Sequence, residues 1–385
     1  MPFGLYVHWP FCESKCPYCD FNSHVAERID PERWIAAYRK EIERVANLTR
    51  DQVLSTIFFG GGTPSLMRPD VVAAVIDAAR AAWRSSNTLE ITMEANPGSV
   101  EVGRFHGYRD AGVNRVSLGI QSLDDQHLRL LGRKHTRSDA LRAIEVAQSV
   151  FTRVNLDLMY GRQHQTVQDW RNELSFALGL GAGHMSLYQL TIEDGTVFGR
   201  RHAAGQLHGL PDEDLSVDFF HATLELCDAA GLPAYEVSNH ATHDEQCRHN
   251  LIYWRAGMYA AIGPGAHGRL GSGADRRATE AIRDPAAWLT AVENRGTGDL
   301  AITPISAAEQ ATEALLMGLR LTAGIPLTEL RALGIDTETW PSRRRLTESG
   351  HLTESAETLR TTLQGRLLLN AVLSELTSDL KVAQT

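Results

Sequence analysis

Three cysteines, Cys12, Cys16 and Cys19, fall within eight positions in "CESKCPYC". Thiolates this close suit a metal centre, and Pro17 between them makes a continuous helix unfavourable, so they share one tight loop. A structural tetrahedral site takes four ligands, and iron–sulfur clusters are ordinarily held by four cysteines. Three thiolates therefore leave one coordination position open. A zinc ion completed by His8 or His24 is the plainer alternative. Structural zinc sites, however, commonly join two close ligands to a second close pair far along the chain, and His24 lies only five residues beyond Cys19. The total of five cysteines is odd, and three are crowded, which fits a reducing compartment better than a disulfide framework. Cys227, inside "FFHATLELCDAA", reads as a buried apolar thiol.

Further chemistry-bearing residues recur along the first half. "GGGTPS" (60–65) lacks the lysine and the spacing of a triphosphate-binding loop. Its glycines would let the backbone approach a ligand and present N–H groups at Gly61, Gly62 and Thr63, but taken alone the motif reads more simply as a plain turn. Glu94 in "MEANP", Gln121 in "SLGIQS", Arg133 in "LLGRKH" and Asp157 in "NLDLMYG" are polar residues near the ends of apolar runs. Each could equally cap a helix or pair with a neighbour.

The elements that must position them follow from periodicity. Strand-length apolar runs occur at 3–9, 55–60, 89–94, 114–120, 153–160 and 184–190, with helical patterns at 31–48, 69–83, 138–150 and 167–180 between them. Two of the helices open on proline, which suits a first turn. Repeated βα units predict a parallel sheet with right-handed crossovers, either doubly wound or barrel-like. In both, functional residues gather at the strands' carboxyl ends, and the cysteines, "GGGTPS", Glu94, Gln121, Asp157, Tyr188 and Gln189 all fall there. Beyond about residue 240 the pattern changes. "CRHNLIYWRAGMYAAIGPGAHG" (247–268) is rich in aromatics and glycine, and a connecting segment of loop is expected over 241–285. From 286 helical patterns dominate, at 305–321 and 365–377, with a small β wing in "LTESAETLRTTLQG". The expected division is a core of 1–240, the connector, and a smaller helical domain of 286–385, possessing a winged-helix-like character.

Composition narrows the class. A hydrophobic content of 43% and a charged content of 22% are those of a globular protein. The net charge of −9 argues against nucleic acid as a partner, and "SRRRL" (342–346) reads as solvated surface. No apolar run reaches the roughly 18 residues of a membrane span. The start, "MPFGLYVHWPF", has no signal-peptide pattern, so a cytoplasmic location is expected.

At this point "CESKCPYC" resembles the C-x3-C-x2-C signature of the radical S-adenosylmethionine superfamily, including the aromatic Tyr18 before its last cysteine. The resemblance implies a partial (β/α)6 barrel and a [4Fe-4S] cluster on Cys12, Cys16 and Cys19. The open iron would be chelated by S-adenosylmethionine, whose reductive cleavage gives a 5′-deoxyadenosyl radical. It also implies that "GGGTPS" meets the methionyl amino group. Tyr6, Glu94, Gln121, Arg133 and Asp157 match cofactor-contacting positions of the oxygen-independent coproporphyrinogen oxidase family. Arg133 would pair with the cofactor carboxylate, a match to guanidinium geometry. Ribose, amino and adenine-side groups would fall to the others.

The likeness to that family runs from about residue 3 to 375 and includes "GIQS", "YEVSNHA" (235–241) and "HNLIYW". Two branches compete: oxidative decarboxylation of coproporphyrinogen III, and a HemW-type heme chaperone delivering heme to respiratory hemoproteins, in some cases at a membrane. The decarboxylase carries a further cysteine where this chain has Phe21, and an extension before its first strand. "HNLIYW" belongs to the chaperone branch. By that resemblance His249 would be an axial ligand to heme, with Tyr253 and Trp254 packing on the porphyrin; His267 and Cys247 are other candidate ligands. A heme- or cluster-dependent homodimer is compatible with this reading. One departure is "YGRQHQT" (160–166), where relatives usually have a Pro-Gly turn.

Overall fold

Each of the six anticipated apolar runs forms a strand: β1 (Phe3–Trp9), β2 (Val53–Gly61), β3 (Arg84–Ala95), β4 (Arg115–Gln121), β5 (Arg153–Tyr160) and β6 (His184–Gln189). They pair in sequence order, all parallel. The crossovers include α1 (Pro31–Leu48), α2 (Pro69–Ala82), α3 (Phe105–Ala111), α4 (Asp125–Leu130), α5 (Arg137–Val150) and α6 (Val167–Leu178). Local chemistry sets their starts. Asp30 caps α1 ahead of Pro31, and Thr136 and Thr166 form capping boxes with Asp139 and Asp169. The computed structural model describes residues 2–26, 28–98, 102–355, 357–378 and 380.

Strand pleating divides the two faces of this sheet. Phe3, Leu5, Val7 and Trp9 of β1, Ile91 and Met93 of β3, Val116, Leu118 and Ile120 of β4, and Met185 and Leu187 of β6 all join the main apolar core. The alternate residues are polar: Thr56, Glu90, Thr92, Arg115, Ser117, Asn155, His184 and Ser186 are buried. Groups from β1 through β6 line shared internal space, so the sheet curls around a polar lumen. That is the partial-barrel alternative.

The segment 241–285 is not the expected loop. β7 (Asn239–Ala241) pairs antiparallel with β6, and after α7 (Arg248–Trp254) the strand β8 (Met258–Ile262) joins β1 in parallel. β9 (His267–Leu270), β10 (Arg277–Ala281) and β11 (Asp299–Pro304) then extend the sheet antiparallel. The full order is β11-β10-β9-β8-β1-β2-β3-β4-β5-β6-β7. These strands are short, and glycine breaks their alternation, which hides the pattern in sequence. The boundary expected at 286 also moves. The helix Pro285–Arg295 buries Trp288, stacked on Trp34 of α1 at 5.4 Å, and so belongs to the main core.

A separate apolar cluster begins at Ala311 and gathers Leu315, Leu330, Leu359 and Leu376. It is built from helices and a three-stranded wing of Ile325–Pro326, Leu352–Glu354 and Thr358–Thr361. The C-terminal part is thus mainly helical with a β wing, as expected. Among the described residues no helix is long and apolar enough to cross a membrane.

Candidate functional site

A cavity of about 590 Å3 opens where the parallel strands end, within the size range of small-molecule sites. It brings together Cys12, Cys16, Cys19, Tyr18, Gly61, Gly62, Thr63, Glu94, Gln121, Arg133 and Asp157. Eleven sequence-selected residues from six separate segments thus face one space.

The cysteine loop is fastened from both sides. Cys19 N–H donates to the Cys16 carbonyl at 3.2 Å, and Phe198 N–H to the Pro17 carbonyl at 2.8 Å. Gly132, at φ +69°, lies so close to Pro17 that a Cβ would sit 2.6 Å from its ring. That approach brings the next residue, Arg133, to Cys16, with Nη1 3.7 Å from Sγ. Thr63 Oγ1 donates to Cys12 Sγ at 3.3 Å. Burial pushes the Cys12 and Cys19 thiols above their ordinary pKa, so binding iron would displace protons from them. Partly exposed thiols, donors aimed at two sulfurs and a half-buried guanidinium fit a cluster that brings thiolate charge into this space.

The glycine motif acts differently from expectation. Its N–H groups are not bare: Gly61 N–H reaches Glu94 Oε2 at 3.3 Å, Gly62 N–H the Trp9 carbonyl at 2.7 Å, and Thr63 N–H the Phe11 carbonyl at 2.8 Å. Gly61 has φ +117° and turns the end of β2 against the cysteine loop. The motif's first effect is therefore to join β2 to the cysteine segment.

Arg133 Nη2 donates to Asn96 Oδ1 at 2.6 Å and to the Gly119 carbonyl at 2.8 Å, while Asn96 Nδ2 donates to Thr63 Oγ1 at 3.2 Å. Asn96 thus ties the Arg133 and Thr63 arms together. Sequence reading passed over it, although it stands two residues after Glu94 in the same strand-end segment. Gln121 lies at a β-bulge with φ +65°, uncommon for a non-glycine residue. Behind it, Glu173 of α6 accepts from Ser122 Oγ at 2.7 Å and Leu123 N–H at 2.6 Å, and pairs with buried Arg162. The unusual "YGRQHQT" loop therefore supplies the counter-ion, Arg162, of the carboxylate that holds this turn.

Glu94 and Asp157 are half-buried in the cavity wall. Burial, then repulsion from Asp157, pushes Glu94 up to about 8. Burial pushes Asp157 up to about 6 against hydrogen bonds from Ser186, Ser117 and Asn155. Near neutral pH the pair holds about one proton.

Four expected residues lie elsewhere. Tyr6 faces a second, deeper cavity, and its hydroxyl donates to His8 Nδ1 at 3.0 Å. His8 Nε2 is 2.9 Å from the Asn22 carbonyl, which can only accept, so both nitrogens are occupied and His8 cannot complete a zinc site. Among the described residues, no three His, Cys, Asp or Glu side chains converge on a single-ion site. His249 is wholly buried, with Nδ1 2.7 Å from Thr56 Oγ1 and Nε2 2.6 Å from the Tyr253 hydroxyl. Burial lowers it to about 3. Neither nitrogen is open for axial ligation, which corrects the sequence reading. α7 instead plugs the lumen at the strands' amino ends, its N-terminal N–H groups at Arg248 and His249 bound by Glu90. Trp254 lies outside both cavities under the Arg320 guanidinium, 4.8 Å from its ring centroid. Cys247 is buried, with Sγ 3.8 Å from Glu90, whereas His267 is exposed at the start of β9.

The polar lumen residues Glu90, Arg115, Asn155 and His184 were also overlooked. Their signal was present as period-two alternation of polar residues inside strands that otherwise read as apolar.

Comparison with known proteins agrees with this architecture. Residues 6–177 match the radical SAM superfamily and 305–368 the HemN C-terminal domain. The fold of coproporphyrinogen III oxidase (HemN) from Escherichia coli superposes with a TM-score of 0.82 at 19% identity, covering 98% of this chain and 90% of that one. In sequence, the chain is 37% identical to the heme chaperone HemW of Escherichia coli over 97% of each protein. It is 42% identical to that of Haemophilus influenzae over 70% of each. It is also 37% identical to the mitochondrial radical S-adenosyl methionine domain-containing protein 1 of Bos taurus, covering 99% of this chain and 88% of that protein. The chain belongs to the radical S-adenosylmethionine superfamily and, within it, to the HemW heme chaperone family.

Proposed function

We propose that this protein is a cytoplasmic heme chaperone. It holds a [4Fe-4S] cluster on Cys12, Cys16 and Cys19, binds S-adenosylmethionine, carries one heme, and passes it to a respiratory hemoprotein at the membrane. The observation that carries the cofactor part is the convergence of three thiols, Arg133 and the strand-end polar groups on one cavity. Relatives named heme chaperones over nearly the whole chain support the cargo.

When bound, the cluster and the sulfonium together supply one-electron cleavage of a carbon–sulfur bond. The chain's own residues bind and orient. Arg133, fixed by Asn96 and the Gly119 carbonyl, presents its guanidinium to a carboxylate beside Cys16. Gln121 and Asp157 face the nucleoside side, and Glu94 holds or releases a proton in the cavity wall. Tyr18, beside Phe198 at 6.4 Å, shields the thiols from water.

For the heme, His267 has the exposed imidazole that His249 lacks, and it is the axial ligand this reading assigns. The rim of the cavity carries Phe21, 58% exposed, in place of the decarboxylase's cysteine.

The test is anaerobic. Reconstituted protein is incubated with coproporphyrinogen III, S-adenosylmethionine and a reductant, and separately titrated with heme. Stoichiometric heme binding without decarboxylation is expected. Formation of protoporphyrinogen IX would make the protein an oxidase and end the chaperone reading.

A further inference from the structure

Below the cofactor cavity the lumen holds a second space of about 240 Å3, and the two share Glu94, Ser117, Asp157 and Tyr188. Arg115 of β4 and Asn250 and Tyr253 of α7 also line it. Arg115 is 2% exposed, yet no hydrogen bond or ion pair engages its guanidinium among the described residues. A buried cation without a direct partner is costly, and proteins retain one where something completes it.

Glu90 and Asp157 offset the Arg115 charge through space, but their carboxylate oxygens are hydrogen-bonded to other groups. Glu90 is bound by Arg153 at 2.6 Å and by the N–H groups of Arg248 and His249. Asp157 accepts from Ser117 Oγ on both oxygens, at 3.2 and 3.1 Å, and from Asn155 Nδ2 at 2.6 Å. The Asn250 side chain likewise has no partner among the described residues. His249, neutral in its buried position, can accept from Thr56 at Nδ1 and donate from Nε2 to the Tyr253 oxygen. The Tyr253 O–H is then free to point into the cavity. A forked guanidinium, an amide NH2 and a phenol O–H, each able to donate, therefore face one space, across from the Glu94 and Asp157 carboxyls.

We propose that Arg115, Asn250 and Tyr253 form a carboxylate-binding subsite, entered from the cofactor cavity between Glu94 and Asp157. Guanidinium and carboxylate match in two parallel hydrogen bonds, a geometry that a spherical anion cannot use. The space admits a small free carboxylate or the carboxylate end of a longer molecule seated above. In this subsite Asn250 of "HNLIYW" faces a ligand, and Tyr253 meets it through its hydroxyl rather than by packing on a porphyrin.

Calorimetric titration of the anaerobically reconstituted full chain with acetate, at constant ionic strength in chloride, tests this. One saturable acetate site is expected, weakened roughly tenfold or more by Asn250→Leu and by Arg115→Met, the scale of a lost charge-assisted hydrogen bond. Acetate that stays bound after S-adenosylmethionine and heme are added identifies a free carboxylate as the ligand. Displacement by either identifies the carboxylate arm of that larger molecule. Absence of saturable acetate binding, or an acetate affinity unchanged in Asn250→Leu, overturns the proposal. Asn250→Leu leaves the buried arginine in place, so the test survives a misfolded Arg115→Met. Because the probe is acetate, failure here leaves the chaperone reading untouched.

Discussion

Nε2 of His249 lies 2.6 Å from the hydroxyl of Tyr253, one turn along the same helix, and the opposite ring nitrogen is 2.7 Å from Thr56 on β2. The histidine of "HNLIYW" is therefore a fastener between helix and sheet. Replacing it by phenylalanine strands two buried hydroxyls, each costing about 1–3 kcal/mol. His249→Phe should lower the unfolding midpoint yet leave the heme absorption bands of surviving folded protein unshifted, whereas His267→Ala should shift or abolish them without loss of stability. Absorption spectroscopy of heme-loaded variants beside a thermal melt decides. Altered heme bands in folded His249→Phe alone would return ligation to His249.

Iron content separates the five cysteines. Cys12→Ala, Cys16→Ala and Cys19→Ala should each lose the cluster, while Cys227→Ala and Cys247→Ala keep it, because both latter thiols are buried away from the cavity. Iron and sulfide analysis after anaerobic reconstitution provides the check. Full loading of Cys16→Ala is incompatible with the assignment.

Glu173 never touches the cavity, but it holds the Ser122–Leu123 backbone and pairs with buried Arg162. Breaking a buried pair from one side costs about 3–5 kcal/mol. Glu173→Ala should destabilise by that order and also weaken S-adenosylmethionine binding, since the turn carrying Gln121 loses its anchor. Equilibrium dialysis with the loaded protein reads the second effect. Unchanged cofactor affinity would reduce Glu173 to a purely structural role.

The Glu94 carboxyl sets a pH dependence in the ligand-free protein. Its folded pKa is about 8 against an ordinary 4.5. Between those values the folded state keeps a proton that the unfolded chain has lost, so the carboxyl's contribution to stability falls as pH rises from about 4.5 and levels off above about 8. Glu94→Gln keeps an acceptor for Gly61 and removes the charge. It should match the parent near pH 4.5 and exceed it by about 2–4 kcal/mol at pH 8.5. Denaturant melts across this range measure the difference, and parallel stability curves would refute it.

Local rules carried much of this protein. Helical periodicity placed α1, α2, α5 and α6, with proline marking the first two starts, apolar runs placed β1 to β6, and the spacing of three thiols around Pro17 placed the cysteine loop. Strand order followed, because helical crossovers between consecutive parallel strands leave little choice of topology. The strand-end rule then selected Gly61, Thr63, Glu94, Gln121 and Asp157, and the family resemblance added Arg133; all six share one cavity.

Tertiary structure alone decided what each group does there. A glycine run reads as open N–H groups until the fold brings the Trp9 and Phe11 carbonyls and the Glu94 carboxylate to claim them. His249 reads as a metal ligand until Thr56, distant in sequence, and Tyr253 occupy both its nitrogens. Arg115 looks like an ordinary strand cation until the curling of the sheet seals it inside the lumen, with no hydrogen bond or ion pair to its guanidinium among the described residues. The cause is common to all three: sequence spacing fixes which groups a segment offers, but hydrogen-bond partners and burial arise from contacts between segments far apart in the chain, and those exist only once the sheet has closed around its polar face.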